Sequence, residues 1–107
     1  MLKSMIVASF MMTVLAMPAS AQQSPAGKGY MDAMSKMQAS MPKDHKGDPD
    51  TDFARMMIPH HRGAIDMAKV ELQYGKDPDL RKMAEKMIKD QEMEVADLEK
   101  WLKAIGK

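Results

Sequence analysis

Asp-Pro-Asp occurs twice in this chain, as Asp48-Pro49-Asp50 behind Gly47 and as Asp77-Pro78-Asp79 behind Gly75-Lys76. In each copy the first aspartate can accept a hydrogen bond from the orphan N–H groups of a helix's first turn. The proline fits the first helical position, and the second aspartate meets the positive end of the helix dipole. Two such signals predict two long helices, at about 49–74 and 78–105, each roughly 40 Å long at about 1.5 Å per residue. Gly75 reads as the residue that terminates the first of them. Nothing alternates with a period of two, so no strand is expected. A short loop between two long helices makes an antiparallel hairpin.

Upstream, Tyr30 to Met41 predicts a short helix with Met34, Met37 and Met41 on one side. Gln22 to Gly29 reads as a linker of small residues, and Pro42 to Gly47 as a charged loop. The expected fold is all-α: a long-helix hairpin plus a short N-terminal helix, of four-helix-bundle type. Three helices of these lengths cannot enclose a full bundle core, so completion by a homodimer is expected.

The first residues read as an export signal. Lys3 precedes an uncharged apolar run from Met5 to Met17, Pro18 breaks it, and Ala19-Ser20-Ala21 is a small-x-small cleavage site. The run is short for a membrane span, and no later stretch is apolar enough for stable insertion. The chain therefore divides into a signal peptide over 1–21, a Met-rich linker and short helix over 22–46, and a helical hairpin domain over 47–107. Cleavage after Ala21 would place the product in the periplasm or otherwise outside the cytoplasm.

Removing those 21 of 107 residues leaves 86, one small domain. A domain of that size usually needs a staple, and with no cysteine the choices are a metal or a partner chain. Without Lys3 the chain carries 15 basic and 15 acidic residues, interspersed. That balance provides no field for gathering nucleic acid or anionic lipid. Methionine is the compositional outlier: of 15, ten lie beyond Ala21. Thioethers make adaptable cores, and they are also soft ligands suited to Cu(I).

Projected at about 100° per residue, the first long helix gathers Phe53, Met56, Met57, His60, Ala64, Met67, Ala68 and Glu71 on one face. Arg55, Arg62, Asp66, Lys69 and Gln73 take the other, as a solvated surface. His60 then sits within the apolar stripe and His61 on its flank. Adjacent histidines on a helix diverge by about 100° and cannot chelate one ion as a His-x3-His pair does. Pro59 should kink the helix, with its own ring pointing outward.

The second long helix has an apolar stripe from Leu80 to Ile105 that Gln91 and Glu94 interrupt. Folding the hairpin at Lys76 brings His60 and His61 level with about residue 93, so the polar interruptions of both helices share one layer. Met67 comes level with Met83 and Met87. The layer has two readings: a metal site, or a buried polar network that fixes helix register without any ligand. No Glu-x-x-His, His-Glu-x-x-His, nucleophile elbow, Walker loop or dinucleotide fingerprint is present. Ser24, Ser35 and Ser40 make poor nucleophiles, and His45 lies in a charged loop. No enzyme is expected.

The run from Gly47 to Ala68, with Met57-Ile58-Pro59-His60-His61 at its centre, resembles a bacterial family called domain of unknown function 305. Tyr74-Gly75-Lys76-Asp77-Pro78, Gln91-x-x-Glu94-Val95 and Trp101-Leu102 continue the likeness, which spans roughly Gly47 to Leu102. The resemblance implies a ferritin-like helical fold and export to the envelope. It also implies kinship with periplasmic copper-binding proteins linked to copper resistance. Carried over by position, its motif residues here are Met57, His60, His61, Met67, Gln91 and Glu94. Leu98 stands where many relatives have methionine, and Asp66 belongs to the motif although it projects outward.

The expected function is copper binding, as Cu(I) or in both oxidation states, for buffering, delivery or resistance, with copper-handling envelope proteins as partners. The alternative is a structural or interaction module whose His/Gln/Glu layer only sets register. A small metal-dependent enzyme is a third.

Overall fold

A computed structural model describes residues 24–107. The expected signal peptide and its cleavage site lie outside the described residues. Three helices account for nearly all the rest: α1 (Pro25–Ser40), α2 (Pro49–Tyr74) and α3 (Pro78–Ala104). Among the described residues there is no strand, and no helix is long and apolar enough to cross a membrane.

All three helices start by one device. Proline occupies the first turn, and the residue before it caps the helix with its side chain. The Ser24 hydroxyl accepts from the Gly27 amide at 3.0 Å, and Asp77 accepts from the Leu80 amide at 2.9 Å. Asp48 accepts from the hydroxyl of Thr51, which is itself buried. Such caps satisfy donors that no intrahelical carbonyl can reach. The Ser24-Pro25 cap extends α1 back through Pro25–Gly29, a stretch whose small residues read as linker. Met41 falls just outside that helix, as its C-cap.

The α2–α3 turn is closed differently from expectation. Gly75 caps α2 with φ −68°, which any residue adopts, and not in the left-handed conformation. Glycine is required there by space: a Cβ would lie 2.6 Å from the Glu71 carbonyl oxygen and closer still to that side chain. Arg81 then reaches back and donates to the carbonyls of Leu72 and Gly75 at 2.7 and 2.9 Å. Two orphan carbonyls at the end of α2 are thereby satisfied by one guanidinium.

α2 is the central element, with α1 and α3 packed on different faces of it. Toward α3 it presents Ala54, Ile58, Ile65 and Ala68, which with Ala84 and Val95 make most of the core. The face read as solvated carries α1. Pro59 is buried, not outward, and it borders a cleft with Met37 and Pro42. Gly63 lies against Met37, Asp66 faces Lys36 at 3.7 Å, and Tyr30 donates to Glu71 at 3.5 Å. On this side Asp66 pairs with α1 and Arg55 with the preceding loop, where it meets Asp44 at 3.0 Å.

The third face of α2 is covered by none of the described residues. It is the stripe of Phe53, Met57, His60, Ala64 and Met67, continued across α3 by Leu80, Met83 and Met87. Phe53 is 59% exposed, Leu80 and Met83 53% each, and Met87 45%. The apolar stripe is thus an open face among the described residues, and the buried core consists of small and medium side chains.

Candidate metal centre

The polar residues of the hairpin meet halfway along the open face. His61 lies on the side of α2 that turns toward α3, and its Nε2 is in close hydrogen-bond contact with Glu94 Oε2. The ring is largely covered, while the Glu94 carboxylate stays half exposed. Facing a carboxylate, Nε2 is the nitrogen that carries the ring proton in the neutral tautomer. Nδ1 then holds the lone pair. That Nδ1 is buried and has no hydrogen-bond partner among the described residues. An imidazole oriented by a carboxylate, with its second nitrogen vacant, is the arrangement found behind histidine metal ligands.

His60 projects from the next position onto the open face and is exposed. Its ring centre lies 6.2 Å from that of His61, with the planes tilted by 60°. It borders a cleft of about 310 Å³ together with His61, Ala64, Met87, Asp90, Gln91 and Glu94. His61 and Glu94 also border a second cleft, of about 260 Å³, with Phe53, Met57, Asp97 and Leu98. Met67 lies farther toward the turn, in an apolar groove of about 400 Å³ that includes Met83, Met87 and Gln91. Shared walls join the three hollows into one furrow along the hairpin.

His60, His61, Gln91 and Glu94 therefore line one stretch of the furrow, and Met57 adjoins it through His61 and Glu94. Met67 adjoins that stretch through Ala64, Met87 and Gln91, which line both neighbouring hollows. Sequence reasoning overlooked Met87 as a site residue. The signal was available: Met87 stands one turn before Gln91 and two before Glu94, so the three share a side of α3. Asp90 and Asp97 add carboxylates at the rim, with Asp90 paired to Lys86. Asp66 pairs with Lys36 and takes no part.

Among the described residues, no three His, Asp or Glu side chains converge closely enough to hold an ion by themselves. What the furrow offers instead is imidazole beside thioether, the donor set of a soft cation. The largest hollow, about 660 Å³ between α1 and α2, lies away from these residues. Three of its four cationic side chains are already engaged, Arg62 with Glu99, Arg55 with Asp44 and Lys36 with Asp66.

No curated protein matches the chain. The profile of the family described as Domain of unknown function (DUF305) matches residues 3–102, reaching well upstream of the motif-bearing segment. With nearly the whole sequence covered, the chain belongs to that family.

Proposed function

We propose that this protein is exported to the periplasm, binds copper there as Cu(I), and serves copper buffering, delivery or resistance. It works as a homodimer in which two hairpins complete a four-helix bundle. One observation carries the metal reading: the buried, unpartnered Nδ1 of His61, in a ring that Glu94 orients. Met57, one turn before His61, lines the same cleft, and Met87 lies across the furrow on α3. A neutral imidazole and a thioether suit Cu(I), and a cysteine-free site of this kind carries no risk of disulfide formation in an oxidising compartment. Glu94, the oriented partner of His61, stands beside it as second-sphere support and as a donor suited to the oxidised ion.

Anaerobic Cu(I) titration against a chromogenic competitor tests the reading. Met57→Leu preserves volume and apolarity and should cost under about 1.5 kcal/mol of stability. It should nonetheless weaken Cu(I) binding by more than about tenfold, a loss above about 1.4 kcal/mol. The competing reading rests on the same contact. His61–Glu94 ties α2 to α3 and would fix their register without a ligand. On that reading parent and variant both bind Cu(I) negligibly and only stability changes. Copper-binding parity between the parent, Met57→Leu and His60→Ala would remove the site proposed.

A further inference from the structure

Among the described residues no three His, Asp or Glu side chains close on one point, and His60 projects from α2 onto a face that no described residue covers. Among the described residues His60 makes no hydrogen bond; its ring neighbours that of His61 and borders the cleft with Met87 and Gln91.

The face has the size and pattern of a self-association surface. Helices of 26 and 27 residues lie side by side in the hairpin. At about 1.5 Å per residue and about 10 Å between axes they offer on the order of 800 Å², which is what each partner contributes to a stable interface. The pattern along the face is also nearly symmetric end to end. His60 and His61 stand at the middle of Pro49–Tyr74, and Gln91 at the middle of Pro78–Ala104. Apolar side chains flank this layer on both sides: Phe53, Met57 and Leu98 toward one end, Met67, Leu80 and Met83 toward the other.

A twofold axis crossing the hairpin at that layer superposes polar on polar and apolar on apolar. Isologous interfaces require that kind of self-complementarity. An unrelated partner would have no reason to need a polar layer at mid-length. Under this axis α2 lies antiparallel on its counterpart, and the two copies of His60 face each other at the centre.

Resting on the Cu(I) reading above, we propose that the ion is held between two copies of this chain. His60 and the partner subunit's His60 join the two copies through it, with the His61 imidazole that carries the copper reading and the Met57 and Met87 thioethers beside it. Loading and dimerisation are then one equilibrium, with one Cu(I) per two chains. The ion links two surfaces that are individually incomplete.

The test is sedimentation velocity on the purified protein, without and with Cu(I) under anaerobic conditions, beside a competitor titration for stoichiometry. Cu(I) should shift the protein toward dimer and saturate at half an equivalent per chain. His60→Ala should abolish that shift. Met83→Glu places a charge on the open face at a half-exposed position, away from the ligands. It should lower Cu(I) affinity by at least about tenfold because it prevents pairing. Circular dichroism establishes that both variants remain helical. Saturation at one or more Cu(I) per chain on a monomer, with Met83→Glu binding as the parent does, overturns the shared site and leaves copper binding intact. A dimer whose dissociation is indifferent to Cu(I) also overturns it. Absence of Cu(I) binding in the parent removes the underlying copper reading, and the shared site with it.

Discussion

Gly63 shows how closely α1 is seated on α2. A Cβ at this position would lie 2.7 Å from the Met37 Sδ and 2.9 Å from its Cβ and Cγ. The distal sulfur could swing away, but the Met37 Cβ is fixed by its backbone, so α1 itself would have to move. Alanine is worth about 1 kcal/mol more than glycine in a helix interior, whereas overpacking costs about 1–3 kcal/mol. Gly63→Ala should therefore be net destabilising, by on the order of 1 kcal/mol. Urea denaturation gives the sign, and faster amide exchange confined to α1 locates the damage. An increase in stability would mean that α1 docks less tightly than these distances indicate. The same close seating explains why Pro59 turns inward: a small residue one turn later leaves room for Met37 to lie across both.

At the level of elements, the loop from α1 to α2 is held by Asp44, which meets Arg55 and Lys46 each at 3.0 Å. Hydrogen bonds first from Lys46 and then from Arg55, with their charges, lower the Asp44 pKa from 3.8 to about 2. A carboxylate depressed in the folded state stabilises above its unfolded pKa, and that contribution is lost as pH falls through the folded one. The tie should thus be complete above about pH 4 and disappear toward about pH 2. An NMR titration of the Asp44 carboxyl should show its midpoint near that lower value, and Arg55→Gln should move it upward. The helices themselves were legible because Asp-Pro-Asp is a local signal, read without knowing the fold. Packing was not legible in the same way. The periodicity of α2 marked an apolar stripe correctly, yet a stripe says nothing about which partner covers it. The smaller, more charged side met α1, whose start depended on the single cap Ser24. The shared level of His60, His61, Gln91 and Glu94 followed from the turn position alone, but not which of them pair. The buried Nδ1 of His61 depends on a ring orientation that no spacing reveals, and Arg81's reach to two carbonyls is equally a matter of tertiary geometry.

For the whole molecule, the expected export gives a direct measurement. Mass spectrometry of protein recovered from the periplasm should show a chain beginning at Gln22, and an intact Met1 terminus in the cytoplasm would end that expectation. The open face has a further consequence, in oxidation chemistry. Met31, Met83 and Met93 are each more than half exposed and Met87 nearly so, whereas Met37 lies against Gly63. Peroxide converts an accessible thioether to a polar, chiral sulfoxide and does so more slowly where neighbours shield the sulfur. In the metal-free, unpaired chain, brief treatment should therefore modify Met83, Met87 and Met93 before Met37, as peptide mapping would resolve. Sulfoxides at Met83 and Met87 would convert the hairpin's apolar face into a hydrated one while the buried alanines and isoleucines beneath it stayed packed. Methionine sulfoxide reductases could restore the thioethers, so the surface stickiness of this protein would follow the oxidant level around it and recover without new synthesis.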